Sequence, residues 1–326
     1  MIEKLYVPTS AECKLVTIYD NPIRAFIKHN SDGMTAWADG PDDADVIVLF
    51  EEWGSRFSEY IDTLRNDPFL AAHWRKVVTV NCDDLGRGFL PGLYTSLNRN
   101  NFDSRIHRAC AYPYTYNSQV AGADRRELTR PKWLFSFRGT DASHPVRRRL
   151  FRAFATYPNA RMELVRTSFH SHAAEQKQAY VDDILDSMFG LCPRGWSPST
   201  YRLFEVMELG RCPVIISDDW IPIAGVPWDE CSIRIAEADA DRLGLILERR
   251  KGDAEGLGTR ARQVWEEHFS DEAKFRAMAR AIMDLKQSWR GEEFDYRGRW
   301  STWRFYSANG WLLHQRLSSR LSRLRS

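Results

Sequence analysis

Short apolar runs alternate with segments of helical period along the first third of the chain. Two apolar runs, DADVIVLFEEW at residues 43–53 and KVVTVNC at 76–82, have the length and composition of buried strands. The segment between them, SRFSEYIDTLRNDPFLAAHW, has the spacing of a helix that is broken near Pro68. Strands separated by helices indicate a parallel sheet, so the pattern predicts an α/β domain.

The same alternation is stronger in the second half of the chain. It predicts strands at 133–140, 188–193 and 212–217, with helices at 143–157 and 198–209 between them. Such βαβ units build a doubly wound sheet with right-handed crossovers. The sequence therefore predicts an α/β fold with two Rossmann-like domains that face a central cleft.

A polar segment, ADRRELTRPK at residues 123–132, has the composition of a linker. We therefore predict one Rossmann-like domain at 1–130 and a second at 131–275. The remaining helices, at 276–326, are predicted to pack back on the first domain.

Composition excludes several classes of protein. The 326 residues are 43% hydrophobic and carry a formal net charge of +2, which excludes a disordered chain and gives no general attraction to nucleic acid. The six cysteines include no CxxC pair, so neither a structural zinc site nor a disulfide framework is expected.

The two ends of the sequence bear on location. The first residues have no apolar signal region, and no run of 18 apolar residues occurs, so we expect a cytoplasmic protein. The basic segment from 305 to 326 is predicted to be a helix. It either packs on the first domain or lies on an anionic membrane surface as an amphipathic helix.

The loop CPRGWSPST, before the predicted helix 198–209, has the chemistry of an anion site. Ser197 is predicted to cap that helix, with Pro198 in its first turn, and the free amides of a helix start attract anions. Arg194 adds a charged fork, and Gly195 lets the backbone approach a ligand closely. With the hydroxyls of Ser199 and Thr200, the loop predicts a diphosphate cradle that needs no metal.

Arg202 and Glu205 lie three residues apart and share one face of that helix. An ordinary surface ion pair would account for them and would stabilise the helix by only about 0.2–0.5 kcal/mol. Alternatively, Glu205 accepts hydrogen bonds from ribose hydroxyls while Arg202 binds a phosphate or holds Glu205. The apolar neighbours of this pair favour the second interpretation, because they predict a helix that is largely buried.

Two segments together resemble a known family. They are WLFSFRGT at 133–140 and the stretch from 193 to 237, PRGWSPSTYRLFEVMELGRCPVIISDDWIPIAGVPWDECSIRIAE. Over residues 131–270 the chain resembles exostosin-like glycosyltransferases (glycosyltransferase family 47). The resemblance implies a GT-B fold, a nucleotide-sugar donor, transfer with inversion and no Asp-x-Asp metal site. It also implies a donor site formed by Arg138, Gly139, Arg194, Ser199, Arg202 and Glu205, with Arg138 and Gly139 beside the diphosphate.

An inverting transfer needs a base for the acceptor hydroxyl, and the first domain should supply it. The candidates are Asp83 and Asp84, after one predicted strand, and Glu51 and Glu52, after another. Of these we favour Asp83 or Asp84. The alternative is that Asp-Asp-Leu-Gly is turn chemistry alone. Trp220 is the best candidate to stack on a sugar ring, although core packing explains most tryptophans.

The remaining predictions concern metals and partners. Two adjacent carboxylates, Asp218 and Asp219, are a weak metal signal, as is the pair of His170 and His172. No metal or other cofactor is therefore expected. The expected partners are a nucleotide sugar and a glycan or lipid-linked acceptor, without nucleic acid. The alternative function is a GT-B module that binds a nucleotide or glycan without turnover.

Overall fold

The computed structural model describes residues 3–18, 22–28, 33, 35–54, 56–84, 86–113, 117–123, 131–167, 172–288 and 298–303. They divide into two compact units. The first consists of Met1–Cys110 with Met278–Ser326, and the second of Ala111–Ala277.

The first unit contains a six-stranded parallel sheet in the order β2-β1-β3-β4-β5-β6. Its strands are β1 (Glu3–Tyr6), β2 (Thr35–Trp37), β3 (Val46–Glu51), β4 (Val77–Asn81), β5 (Gly92–Tyr94) and β6 (His107–Ala109). Its helices are α1 (Pro22–Lys28), α2 (Phe57–Asn66) and α3 (Pro68–His73), with single 3-10 turns at Trp74–Lys76 and Gly298–Ser301.

The second unit contains a five-stranded parallel sheet in the order β11-β10-β9-β7-β8. Its strands are β7 (Trp133–Gly139), β8 (Ala160–Leu164), β9 (Ser187–Pro193), β10 (Cys212–Ile216) and β11 (Ile233–Arg234). Its helices are α4 (Ser118–Ala121), α5 (Pro145–Phe154), α6 (Ala174–Leu185), α7 (Tyr201–Glu208), α8 (Trp228–Cys231), α9 (Leu243–Arg249) and α10 (Ala254–His268), with 3-10 turns at Glu237–Arg242 and Lys251–Asp253. Helix α11 (Asp271–Ser288) begins in this unit and continues into the first.

The predicted α/β class, with one Rossmann-like parallel sheet in each unit, is confirmed for each unit taken by itself. Every residue of β3, β4 and β10 is buried, which is why these strands are continuous apolar runs in the sequence. Apolar cores cover both faces of the second sheet. A side chain at Gly190 would lie 2.5 Å from a methyl group of Val206, so this glycine lets α7 pack directly on β9.

The boundary between the units differs from the prediction. The second unit begins at Ala111 rather than at 131, because Ala111 and Val120 pack in the same core as Tyr180 and Val181. Residues from Met278 group with the first unit, where Lys286 forms an ion pair with Glu3.

Two predicted segments lie outside the described residues, namely most of the linker at 123–132 and the basic helix at 305–326. Within the described ranges, no helix combines the length and apolar character needed to cross a membrane.

Candidate functional site

The predicted donor residues of the second unit gather at one edge of its sheet. Strands β7, β9 and β10 end at Gly139, Pro193 and Ile216, so the loops that follow them leave from the same edge. Open parallel sheets bind their ligands at the carboxyl ends of the strands. This edge is therefore where the side chains of a ligand site are expected.

The loop after β9 corrects the prediction for the start of α7. Thr200 rather than Ser197 occupies the N-cap position of α7, without a capping hydrogen bond from its side chain, and Pro198 lies outside the helix, which begins at Tyr201. The Ser197 hydroxyl instead accepts the Ser199 N–H at 3.2 Å and donates to the Ser199 carbonyl at 3.0 Å. This local turn competes with helix formation, so the helix starts later than the Ser-Pro pattern predicts.

Arg194 follows β9 directly and is buried between two carboxylates. Its Nη1 lies 2.7 Å from Oδ2 of Asp219 and 3.5 Å from Oε1 of Glu237. Its Nε is also buried and has no hydrogen-bond partner in the described part of the chain. Arg194 therefore reaches the strand edge as predicted, but most of its charge is balanced by protein groups.

Arg147, on α5, is a residue of this site that the sequence did not single out. Its Nε donates to the Arg194 carbonyl at 2.9 Å and its Nη2 to the Pro193 carbonyl at 3.1 Å. A side chain at Gly195 would lie 3.1 Å from Nη2 of Arg147, so the glycine lets the loop pass close to this guanidinium. The loop after β9 is consequently anchored by a cation at its base.

Glu205 is buried in the second turn of α7 and keeps 7% of its surface exposed. Its Oε2 accepts a hydrogen bond from the Tyr180 hydroxyl of α6. Arg202 donates to the Arg138 carbonyl and lies over the rings of Phe137 and Tyr180, at 4.6 and 4.7 Å from the ring centroids. The prediction of a buried Glu205 is confirmed, and an ordinary surface ion pair is excluded for these residues.

Burial and two neighbouring groups act in opposite directions on the pKa of Glu205. Burial raises the pKa of the Glu205 carboxyl, while the Tyr180 hydroxyl and the Arg202 charge lower it. Burial also raises the pKa of Tyr180 well above its ordinary value, so Tyr180 is a hydrogen-bond donor at neutral pH. Tyr180 was missed in the sequence because no local motif marks it.

Arg138 and Gly139 end β7, as predicted, but the Arg138 side chain is occupied. Its Nε donates to Oδ2 of Asp183 at 2.7 Å, and Arg161 donates to the other oxygen of Asp183 at 3.0 Å. The Arg138 side chain thus joins β7 to α6. Its predicted place beside a diphosphate requires that this ion pair exchange partners.

Trp220 does not present a ring for stacking. Only 3% of its surface is exposed, and its ring packs edge-on against Trp228 with the centroids 4.9 Å apart. The prediction that Trp220 stacks on a sugar is therefore corrected, and the residue belongs to the core. The exposed tryptophan of this edge is Trp196, with 66% of its surface accessible.

The carboxylates near this edge form hydrogen bonds or ion pairs with other protein groups. Asp218 and Glu237 each accept the backbone N–H of the other, at 3.1 and 3.0 Å. Among the residues that the structure describes, no group of three or more His, Cys, Asp or Glu side chains could hold a metal ion. Of the predicted histidine pair, His172 is described and His170 lies outside the described residues.

The carboxylates of the first unit follow β3 and β4. Asp83 is 8% exposed, and its Oδ1 accepts the N–H groups of Trp53 and Gly54, both at 2.6 Å. Glu51 is fully buried and accepts from the Thr79 hydroxyl at 2.8 Å. The Asn81 amide donates to both carboxyl groups, to each at 3.1 Å.

These four candidate carboxyls are therefore not equivalent. Burial raises the pKa of Glu51 to about 7 and also raises the pKa of Asp83. Asp84 and Glu52 are exposed. Asp83 is the member that faces a small pocket, which is lined by Trp53, Gly54, Tyr60, Asn81, Asp83, Arg87, Gly88 and Tyr94.

Curated relatives match short parts of the chain. A probable glucuronosyltransferase of Oryza sativa subsp. japonica is 43% identical over 77 residues, which are 23% of this chain and 18% of the relative. A probable beta-1,4-xylosyltransferase of Arabidopsis thaliana is 39% identical over 77 residues, 23% of this chain and 19% of the relative. The chain thus matches about a fifth of the length of these relatives.

A solved glycosyltransferase from Rickettsia africae aligns with 86% of this chain and 98% of its own, at 9% identity and a TM-score of 0.41. That similarity is too low to support an argument about fold or ligand. A family match, by contrast, covers most of the chain. The family model of the exostosin GT47 domain matches residues 7–249 of the 326, and the chain belongs to the exostosin GT47 family.

Proposed function

We propose that the chain is an inverting glycosyltransferase that moves a sugar from a nucleotide-diphosphate sugar to a hydroxyl of a glycan or glycolipid. Family membership and the names of the relatives support the class of reaction. The observation that carries the proposal is the buried cluster of Arg202, Glu205 and Tyr180 beside the ends of β7 and β9. A carboxylate that is held in the protein interior by one hydrogen bond from Tyr180 and by the nearby charge of Arg202 needs a reason, and binding of ribose hydroxyls provides one.

The diphosphate would lie against the loop after β9. Arg194 lies in that loop, Arg147 contacts the loop from α5, and the first-turn amides of α7 point out of the helix. A guanidinium has five N–H donors, so Arg194 can bind a phosphate oxygen while it keeps one carboxylate partner. These groups would stabilise the negative charge that develops on the departing diphosphate.

Metal independence is part of the same proposal. Arginines and helix amides supply positive charge at the position where other transferases use a divalent ion. Asp219 and Glu237 would not need to ligate a metal, since both already lie against Arg194. Binding of a nucleoside diphosphate should therefore be unaffected by EDTA.

The names of the relatives suggest which donors to test first. They are named for glucuronosyl and xylosyl transfer, so nucleotide-linked glucuronate and xylose are the first choices. Both sugars are built on the same pyranose ring and differ in a carboxylate. A comparison of the two would show whether a cation of this chain contacts the sugar.

The test is a transfer assay with the full chain, a panel of nucleotide sugars and oligosaccharide acceptors, in which product is detected by mass spectrometry. NMR of the product would establish its anomeric configuration, which should be inverted relative to the donor. Glu205→Gln should remove most of the activity, whereas Glu255→Gln, at an exposed position on α10, should not. Retention of configuration, or full activity of Glu205→Gln, would contradict the proposal. Nucleotide binding without product would instead support the non-catalytic alternative.

A further inference from the structure

The basic segment at residues 305–326 is a feature of the sequence that the proposed function does not use. It contains no acidic residue, and the last acidic residue before it is Asp295. Its cationic side chains are those of Arg316, Arg320, Arg323 and Arg325. The anions that balance these charges must therefore come from outside the segment. The segment itself lies outside the described residues, and residues 298–303 lead into it.

The residues that lead into the basic segment are attached to the first unit at Trp300. The Trp300 ring packs edge-on against Phe89, with the ring centroids 5.6 Å apart, and its indole N–H donates to the Phe89 carbonyl at 2.8 Å. Phe89 is a core residue, with only 6% of its surface exposed. The chain therefore approaches the basic segment from a fixed point on the first unit.

Three residues after Trp300, a second indole lies in solvent. Of the large apolar side chains that the structure describes, that of Trp303 is the most exposed, at 84%. An indole combines a large apolar surface with one N–H donor, and this combination is enriched where proteins contact the interface of a bilayer. An accessible apolar group and a run of cations thus follow one another along the chain.

The basic segment has the residue pattern of a helix with one apolar face. Residues three or four apart lie on the same face of a helix, and one row of leucines has this spacing, namely Leu313, Leu317, Leu321 and Leu324. Arginines border the row on both sides, with Arg316, Arg320 and Arg323 on one side and Arg325 on the other. Such a pattern is typical of helices that lie in the interface of an anionic membrane.

Helix α11 shows how a helix of this chain balances its cations when it packs on protein. Its Lys274 lies 2.8 Å from Asp271, and its Arg276 forms an ion pair with Glu272. Its apolar face is buried in protein. The basic segment has a similar apolar row but no carboxylate of its own. A membrane of anionic lipid supplies both missing partners, because acyl chains lie directly beneath its charged headgroups.

We propose that residues 303–326 attach the protein to the surface of a membrane that contains anionic lipid. The leucine row and the Trp303 indole would enter the boundary between headgroups and acyl chains, and the arginines would contact lipid phosphates. The segment would lie in the interface rather than cross the bilayer, because arginines interrupt its apolar residues. This inference concerns attachment to a surface, so it goes beyond the proposed function and does not depend on it.

The test is sedimentation of the full chain with lipid vesicles. Vesicles with equal parts of phosphatidylcholine and phosphatidylglycerol should bind the chain, whereas vesicles of phosphatidylcholine alone should bind it far less, because they offer no net negative charge. Raising NaCl from about 0.1 M to about 1 M should weaken binding, since it shortens the screening length from about 10 Å to about 3 Å.

A triple arginine variant tests the charges of the segment. Replacement of its three bordering arginines, Arg316→Gln, Arg320→Gln and Arg323→Gln, should weaken binding to the anionic vesicles by about 100-fold, because each cation near such a surface contributes to the affinity. The matched control makes the same change in net charge at three exposed arginines of α2 and α5, with Arg65→Gln, Arg148→Gln and Arg152→Gln. This control should bind as the wild type does.

A pair of tryptophan variants tests the apolar contact. Trp303→Ala should weaken binding by about tenfold, and Trp303→Phe should restore most of it, because an aromatic ring is retained. Trp196→Ala, at an exposed indole of the second unit, is the matched control and should bind as the wild type does. Thermal unfolding of each variant separates a lost contact from a lost fold.

Hydrogen exchange of the full chain, with and without anionic vesicles, locates the contact. The amides of 305–326 should exchange more slowly on the vesicles, since a helix at the interface protects them, while those of β3 and β10 should not change.

Four outcomes would overturn the inference. The first three are no binding to anionic vesicles, equal binding to neutral ones, and protection confined to residues outside 303–326. The fourth is binding to a DNA duplex, lost in the triple arginine variant, without binding to vesicles, which would assign the segment to nucleic acid. None of these measurements requires transfer activity, so the proposed function stands or falls separately.

Discussion

The two units satisfy their buried charges in different ways. In the second unit, arginines are paired with carboxylates, as in Arg194 with Asp219 and Arg138 with Asp183. In the first unit, Asp83 is held by neutral amides of the backbone and of Asn81. Ion pairs can exchange a carboxylate for a phosphate, whereas the amides that hold Asp83 carry no formal charge for an anionic ligand to replace.

This difference explains why one chain can contain two kinds of polar site. A charged ligand is best received by groups whose protein partners it can replace. A neutral, hydroxyl-bearing ligand is best received by groups that are already fixed, since it brings little electrostatic energy of its own. The predictions below test this comparison, from the largest expected effect to the smallest.

The largest effect is expected for Trp220→Ala in the second unit. Removal of this buried indole should lower the free energy of unfolding by about 3–5 kcal/mol, because it leaves a cavity in the core. Trp196→Ala, at an exposed indole, should change it by less than about 0.5 kcal/mol. Chemical denaturation of both variants would measure the difference. Equal effects at the two positions would show that Trp220 is not a core residue.

The pH dependence of the free energy of unfolding tests the burial of Glu51 in the first unit. The folded-state pKa of Glu51 is raised to about 7, above the ordinary value of 4.5, so the folded protein binds the proton more tightly than the unfolded chain. The contribution of protonated Glu51 to the free energy of unfolding is fully present below about pH 4.5. It is lost as pH rises through about 7, a change of about 3 kcal/mol. Denaturation at pH 5 and pH 8 should show a smaller difference for Glu51→Gln than for wild type or Glu59→Gln, whose side chain is exposed. The same loss in all three proteins would contradict the assignment.

Tyr180→Phe tests the partner of Glu205. Loss of this hydroxyl leaves a buried carboxylate with one hydrogen bond fewer, which should lower the free energy of unfolding by about 1–3 kcal/mol. Nucleotide affinity should fall with it, because Glu205 is then less well oriented. Tyr157→Phe, on a half-buried ring that stacks against Phe135, is the matched control. Unchanged stability and affinity in Tyr180→Phe would remove Tyr180 from the site.

The smallest effect is expected for Asp183→Asn. This carboxylate joins Arg138 and Arg161, and its loss should lower the free energy of unfolding by about 1 kcal/mol. Nucleotide affinity should stay the same if Arg138 serves to join β7 to α6. An increase in affinity, measured by titration calorimetry, would instead mean that Asp183 competes with the diphosphate for Arg138.

The sequence predicted the strands, and it predicted most of the charged residues that lie at the carboxyl ends of the strands in the second unit. Buried parallel strands are continuous apolar runs, so β3, β4, β7, β9 and β10 could be located closely. Glu205 could be predicted as buried because its neighbours on α7 are apolar.

What the sequence could not supply depends on contacts between distant residues. Tyr180 is 25 residues from Glu205, and Asn81 is 30 residues from Glu51, so no local pattern marks either pair. Trp220 was misplaced because a tryptophan suits both a core and a sugar platform. The start of α7 was misplaced because the Ser-Pro signal of a helix cap also fits the turn made by Ser197.

The central claim is that the Arg202, Glu205 and Tyr180 cluster and the Arg194 loop bind a nucleoside diphosphate without a metal. The direct measurement is the thermal unfolding midpoint of wild type, Glu205→Gln and Glu255→Gln with a panel of nucleoside diphosphates in EDTA. At about 100 times the dissociation constant, binding should stabilise wild type and Glu255→Gln by about 2.7 kcal/mol and Glu205→Gln by much less. No shift in wild type, or a shift that appears only when Mg²⁺ or Mn²⁺ is added, would contradict the claim.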